Sequence, residues 1–295
     1  MTNYFVVGHP SAKNLAKKIT KKLQAKYLKA SLRVFPDGES KLTISGNLGK
    51  GTIIVVSSTG PPVDSNLVQT LSLISKSSEK SSKVVAVIPY MGYAKQDKEF
   101  LKGEIITISV IAKLFKAAGA TQLIVVDFHS PGALSFFKFP TNNLSAIPLF
   151  AKYFKNYNLK NPIIVSPDMY WKSNAEELAK SLNGTSFALN KQRDRKTGKL
   201  VIKQPFPKFS KGNDLILLDD MVSSGGSILK AIAFLKKENF RKIFVACTHP
   251  VFVDDSERKI KKVGVTEIIG TNSIEGKFSK VDLSEIISKA ILDSN

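Results

Sequence analysis

The sequence predicts an α/β protein with largely parallel sheets, built as two similar halves. Two observations carry that prediction. Apolar, strand-like runs alternate with helix-like patterns almost throughout the chain. Three stretches of the first half also return in the second at a near-constant offset of about 160 residues, the mark of an internal repeat.

Taken in order, "NYFVVGHPSAKNLAKKI" from Asn3 reads as a strand, a polar turn and a helix, and it parallels "NPIIVSPDMYWKSNAEELAK" from Asn161. The run "LAKKITKKLQAKYLKA" reads as a lysine-lined helix face. "FPDGES", Phe35 to Ser40, carries Pro-Asp-Gly turn chemistry. "GTIIVVSSTGPPVDSNLVQTL" from Gly51 parallels "DLILLDDMVSSGGSILKAI" from Asp214, and "KVVAVIPYMGY" from Lys83 parallels "KIFVACTHPVF" from Lys242. "QLIVVDFHS" reads as the last strand of the first half. The Pro and Asn cluster "FPTNNLSAIPLF", Phe139 to Phe150, then marks the boundary between halves spanning 1–143 and 144–295.

With 295 residues, 43% of them hydrophobic, the chain has ample material for a core. No apolar run approaches a membrane span, and the opening "MTNYFVVGHPSAKN" lacks the pattern of a signal peptide, so a cytoplasmic protein with no membrane partner is expected. Cys247, the sole cysteine, excludes an internal disulfide and a cysteine metal cluster, and its apolar run predicts a buried structural thiol. The formal charge of +20 suits polyanionic partners, whether nucleic acid or phosphorylated metabolites. Arg33, Arg193, Arg195, Arg241 and Arg258 are the only arginines, so the charge is lysine spread over helix faces. There is no Arg/aromatic platform and no recognition helix, which argues against nucleic acid.

Open α/β sheets bind ligands at the carboxyl ends of their strands. The residues to watch are therefore in "FPDGES", "SSTGPP", "PYMGYAKQD", "DFHSPG", "SPDMYW", "NKQRDRKTGK" and "LLDDMVSSGG". The last is the most informative. A helix N-terminus with Gly225 and Gly226 favours a phosphate, while Asp219 and Asp220 would repel phosphate and can accept hydrogen bonds from hydroxyls. A sugar phosphate satisfies both ends. The residues alone leave open a plain strand-turn-helix with two solvated acids.

Together, "FPDGE", "IPYMGYAKQD", "VDFHS", "IVSPD", "NKQRD" and "LLDDMVSSGG" resemble the ribose-phosphate pyrophosphokinase family over essentially the whole chain. The resemblance implies two tandem type I phosphoribosyltransferase-like domains. It implies transfer of the diphosphoryl group of ATP to the anomeric hydroxyl of ribose 5-phosphate, with Mg²⁺, in a dimer-based homo-oligomer whose "FPDGE" completes a neighbour's ATP site. By resemblance, Phe35, Asp37, Gly38, Glu39, Lys95 and Gln96 bind ATP. Asp219 and Asp220 face the ribose, and Ser223, Ser224, Gly225, Gly226 and Ser227 wrap its 5-phosphate. His129 and Asp168, one from each half, match the metal-linked residues, with Asp127 a second-tier candidate. Lys191 and Arg193 match the catalytic flexible loop, with Arg193 also on the ribose 5-phosphate side. Three features depart from the family pattern. Ser223 and Ser224 stand where an acid and a threonine are frequent, Ser227 stands where threonine is frequent, and Lys95 replaces a common arginine, losing its two-pronged phosphate contact. A non-catalytic regulatory subunit of the same family and a phosphoribosyltransferase are the alternatives. The first is disfavoured by the presence of Lys191, Arg193, His129 and Asp168, the second by the duplication.

Overall fold

The computed structural model describes residues 3–193, 200–202 and 211–294. By packing, the chain forms two compact units. One runs to Ser145 and also takes Asn272–Lys277 and the segment from Asp282 onward, and the other comprises Ala146–Thr271 and Phe278–Val281.

The first unit begins with β1 (Tyr4–Gly8), α1 (Lys13–Lys22), β2 (Lys26–Val34), β3 (Ser40–Ile44) and β4 (Thr52–Val56). It continues with α2 (Val63–Ser78), β5 (Lys83–Val87), α3 (Thr107–Ala117), β6 (Gln122–Val126) and β7 (Thr141–Leu144). Its sheet has the order β3-β2-β1-β4-β5-β6-β7. All neighbours are parallel except the β2–β3 hairpin. β4 and β6 are buried at every residue, the expected state of a parallel strand covered on both faces.

Two elements differ from the sequence expectation. The lysine-lined run is not one helix: α1 ends at Lys22 with Leu23 as its cap, Gln24 takes a left-handed φ of 50°, and Lys26–Val34 is a strand. Leu28 and Ala30 are buried with exposed Lys29 between them, so a period of two, and pairing with β1, overrides the helical propensity of lysine. The first half also gains a strand beyond "QLIVVDFHS". Thr141–Leu144 pairs in parallel with β6 inside the Pro/Asn cluster. Its polar residues hide the strand, because an edge position asks little of side-chain apolarity.

The second unit contains α4 (Ile147–Phe154), β8 (Ile163–Ser166), α5 (Lys172–Ser181), β9 (Thr185–Ala188), β10 (Lys191–Arg193) and β11 (Leu200–Ile202). β12 (Asp214–Val222), α6 (Gly226–Leu235), β13 (Lys242–Pro250), α7 (Ser256–Lys262), β14 (Glu267–Thr271) and β15 (Ser279–Val281) complete it. Its main sheet is parallel throughout, in the order β15-β14-β13-β12-β8-β9, and β10–β11 form a separate antiparallel hairpin. Reading each sheet in chain order, β2-β1-β4-β5-β6-β7 and β9-β8-β12-β13-β14-β15 are the same topology, as the repeat predicts. Last comes α8 (Ser284–Asp293), which packs on α1 and β7 in the first unit.

Each unit has its own apolar core. In the second, Asp214 is wholly buried at the start of β12, where its carboxylate accepts from Arg241 Nε at 2.9 Å and from the Lys160 amide at 2.8 Å. Cys247 is fully buried and burial pushes its thiol pKa up, which makes it an inert packing residue. Among the described residues no helix is long and apolar enough to cross a membrane.

Candidate active site

The second unit builds the more complete chemistry. β12 is buried along its whole length, so its apolar residues anchor the strand from which Asp219 and Asp220 emerge at its carboxyl end. Asp219 Oδ1 accepts the Asp220 amide at 3.0 Å, and Asp220 Oδ1 accepts the Met221 amide at 2.7 Å. Both carboxylates are thus aimed by local backbone bonds. Burial holds the pKa of Asp219 well above the usual carboxylate range, and the negative charges of Asp220 and Asp168 raise it further. Asp168 follows the neighbouring strand β8. Its backbone carbonyl accepts from Ser166 Oγ at 2.6 Å and its Oδ1 accepts the Tyr170 amide at 3.0 Å. The parallel pairing of β8 with β12 therefore brings Asp168, Asp219 and Asp220 to one sheet edge, three acids whose mutual repulsion calls for a cation or for hydroxyl donors.

The turn after β12 runs through Ser223, Ser224 and Gly225 into α6. Ser224, Gly226 and Ser227 are exposed and Ser223 is half-buried. Gly225 has φ +73°, and a Cβ there would lie 2.8 Å from Ile260 Cδ1 on α7, so both conformation and packing demand glycine. The Gly225 carbonyl accepts the Leu229 amide at 2.9 Å, which starts the helix there. The first-turn amides have no helical partner by geometry, and three serines stand beside them, a set of donors whose chemistry suits an anion. Lys191 and Arg193 lie on the backbone of β10, paired with Ile202 and Leu200 of β11. Their side chains, and the segment 194–199 between the two strands, fall outside the described residues.

In the first unit the candidates share the carboxyl edge of the sheet. "FPDGE" is the turn of the β2–β3 hairpin: the Phe35 amide donates to the Glu39 carbonyl at 2.8 Å, Gly38 takes φ +93°, and the Glu39 amide donates to Asp37 Oδ1 at 3.1 Å. The Arg33 guanidinium lies 4.9 Å from the Phe35 ring centroid. Lys95 and Gln96 follow β5, where residues 92–95 form a turn. Gln96 Oε1 accepts from Thr107 Oγ1 at 2.6 Å, and the Gly92 amide donates to Thr59 Oγ1 at 2.7 Å. His129 follows β6, half-buried, after Asp127, which is buried with φ 42°. Ser130 Oγ donates to Asp97 Oδ2 at 2.5 Å, tying the loops after β5 and β6 together. Thr59, Asp97 and Ser130 escape sequence reasoning as supports, because single polar residues in loops carry no spacing signal. Among the described residues, no group of three or more histidines, cysteines or acids is arranged to hold a metal by itself.

Comparison with known proteins decides the family. The family model for the N-terminal domain of ribose phosphate pyrophosphokinase matches residues 4–119, and the phosphoribosyl transferase domain model matches residues 143–283. The ribose-phosphate pyrophosphokinase of Methanobrevibacter smithii is 32% identical over 298 residues, covering 98% of this chain and 100% of that protein. The chain belongs to the ribose-phosphate pyrophosphokinase family. Others of that name resemble it as fully: that of Sulfurisphaera tokodaii is 31% identical over 97% of this chain and 99% of its own, and that of Bacillus cereus is 31% identical over 99% and 94%. Phosphoribosylpyrophosphate synthetase from Mycobacterium smegmatis shares the fold, with a TM-score of 0.86 over 99% of this chain and 100% of that one, at 24% identity. These full-length ribose-phosphate pyrophosphokinase relatives favour an enzyme over a regulatory subunit.

Proposed function

We infer that this chain transfers the diphosphoryl group of ATP to the anomeric hydroxyl of ribose 5-phosphate, giving 5-phosphoribosyl 1-diphosphate and AMP. The observation that carries this reading is the run from Asp219 and Asp220 through Gly225 into α6, with acids for hydroxyls at one end and amides and hydroxyls for a phosphate at the other. The sugar's anomeric oxygen attacks the β-phosphorus, the bond from that phosphorus to the α,β-bridging oxygen breaks, and AMP leaves with the bridging oxygen. The hydroxyl proton goes to solvent.

Each residue has a chemical task. Asp219 and Asp220 accept from the ribose hydroxyls and orient the sugar. Ser223, Ser224, Gly225, Gly226 and Ser227 hold the 5-phosphate, and serine at 223, 224 and 227 keeps a donor at each place. Phe35 stacks on adenine. Glu39, with Asp37 and the Gly38 turn, accepts from its amino group. Lys95 and Gln96 hold the triphosphate. Lys191 and Arg193 are the catalytic residues, which offset the charge developing on the transferring group, and Arg193 also touches the sugar phosphate.

Mg²⁺ fits the acid cluster at the β8–β12 edge: Mg²⁺ prefers one or two carboxylates and takes its remaining ligands from water and substrate phosphate, so no preformed all-protein cage is needed. Asp168 would hold it there, and His129, in the first unit, is the other residue that the family resemblance links to the metal. Bound there, the cation supplies charge neutralisation of the diphosphate. The hairpin tip, with Val34 58% exposed beside half-buried Phe35, suits cover by a second copy, which supports a homo-oligomer. The substrates make the cytoplasm the natural place of work. Incubating the pure protein with ATP, ribose 5-phosphate and Mg²⁺ tests the reading. AMP and 5-phosphoribosyl 1-diphosphate in equal amounts are expected, and ADP, or no product, would overturn it.

A further inference from the structure

In the second unit, the segment between β13 and α7 backs the loop assigned to the sugar phosphate, and none of the site assignments uses it. β13 runs beside β12 to its end, with His249 opposite Met221 and Pro250 opposite Val222. The chain then turns back: the Phe252 amide donates to the Val222 carbonyl at 2.9 Å, and the Val253 amide to the Ser223 carbonyl at 3.3 Å. A peptide unit is planar and trans, so its carbonyl and the amide of the next residue point in opposite directions. Fixing the carbonyls of Val222 and Ser223 on this segment therefore turns the amides of Ser223 and Ser224 away from it. Among the described residues no backbone carbonyl takes either amide.

The conformation that presents those two donors is strained. Phe252 takes φ 36° and Asp254 φ 51°, left-handed values that residues with side chains rarely adopt. Such a backbone persists only where its surroundings hold it. What holds it here is the Phe252 ring, whose centroid lies 4.5 Å from that of Phe278 at an interplanar angle of 42°, both rings packing against the apolar core of the second unit. Pro250 fits closely just before it, since a Cβ on Gly270 would stand 2.8 Å from the proline Cγ. Just beyond it, buried Ser256 and Ile260 of α7 lie against Gly225, whose Cβ would stand 3.7 Å from Ser256 Cβ. The segment thus meets the sugar-phosphate loop at Val222, Ser223 and Gly225.

We propose that Phe252 is a positioning residue for ribose 5-phosphate: anchored on Phe278, it holds the Val222 and Ser223 peptides so that the amides of Ser223 and Ser224 face the sugar's phosphate. This rests on the assignment of the 5-phosphate to that loop. It adds that affinity for the sugar phosphate depends on a residue that touches no substrate.

Phe252→Ala removes the ring, Phe278→Leu removes its partner and leaves Phe252 in place, and Phe252→Tyr keeps the stack. In Phe252→Ala and Phe278→Leu, KM for ribose 5-phosphate should rise about tenfold while kcat and KM for ATP stay within about twofold, and Phe252→Tyr should match the parent. If Phe252→Ala does not fold, Phe278→Leu carries the test. An unchanged KM for ribose 5-phosphate in either folded variant, or an equal rise in KM for ATP, overturns the proposal. Phe240→Leu trims the same core just before β13 and should leave both constants in place; a tenfold rise there would make the effect a general loosening and overturn the proposal as well. Amide hydrogen exchange in 222–228, read by mass spectrometry with ribose 5-phosphate saturating for each protein, tells where a failure lies. The sugar phosphate should slow exchange in the parent and slow it less in Phe252→Ala and Phe278→Leu. Full protection in those variants condemns the role of Phe252 and leaves the phosphate assignment standing. No protection in the parent condemns the phosphate assignment, and the proposal with it.

Discussion

Asp220 shows how a single residue can be tested against its role. Asp220→Asn keeps the shape and the acceptor that takes the Met221 amide, and removes the charge that the proposed function sets against the sugar hydroxyls. KM for ribose 5-phosphate should rise about tenfold, the loss of one charge-assisted hydrogen bond, while KM for ATP changes little in steady-state kinetics. If ATP affinity fell instead, the two substrates would be in the wrong halves. Lys191 is a test of catalysis proper. If it stabilises charge that exists only in the transition state, Lys191→Ala should lower kcat by about 10²–10³-fold with modest changes in both Michaelis constants. A loss confined to affinity would make the β10 segment a binding clamp. Both motifs were legible in the sequence because the chemistry is concentrated in contiguous residues. The supports Thr59, Asp97 and Ser130 were not, because their partners lie far off in the chain.

Elements carry two further expectations. The turn into α6 depends on Gly225, where a methyl group would meet Ile260 at 2.8 Å and the left-handed φ disfavours any side chain. Gly225→Ala should therefore destabilise the second unit by about 2 kcal/mol, read as a lower denaturation midpoint, before any effect on ribose 5-phosphate is considered. The end of β1 carries a pH dependence. Burial lowers the pKa of His9 below 6.5 despite the opposing bond to Gln69. The unfolded chain then binds the proton more readily than the folded one, so His9's contribution to stability is fully present above pH 6.5 and is lost as pH falls from there through the folded-state value. Chemical denaturation at pH 7.5 and 5.5 should show a smaller loss of stability at low pH in His9→Asn than in the parent; an equal loss would mean another group titrates. The helix–strand switch near Gln24 belongs at this scale too. Lysine-rich sequence supports either element, and what decided for a strand is the ladder that β1 offers to Lys26–Lys29.

For the whole molecule, the metal is the sharpest test. Chelation of Mg²⁺ should abolish turnover and leave the thermal unfolding transition nearly in place, because the buried cores hold each unit without it. His129→Ala should raise the Mg²⁺ concentration needed for half-maximal turnover, with far less effect on folding, since His129 is half-buried and outside the core clusters. An unchanged metal titration would reject the assignment.

Sequence alone was enough for the repeat, the α/β alternation and the strand–turn–helix that runs through Gly225, because each rests on local periodicity or on adjacent residues whose chemistry is set by type and order. It was also enough for the packing role of Cys247, since a lone thiol in an apolar run has nowhere to go but the core. Tertiary structure decided what depends on partners distant in the chain. It made Thr141–Leu144 a strand by giving it β6 to pair with, and it gathered Asp168 beside Asp219 by setting β8 next to β12. It also linked Ser40 to Ser58 through Gln69, His9 and Ser11. Hydrogen bonds and Coulomb interactions act over a few ångströms of space, whatever the separation along the chain, so these relations exist only once the backbone has brought their members together.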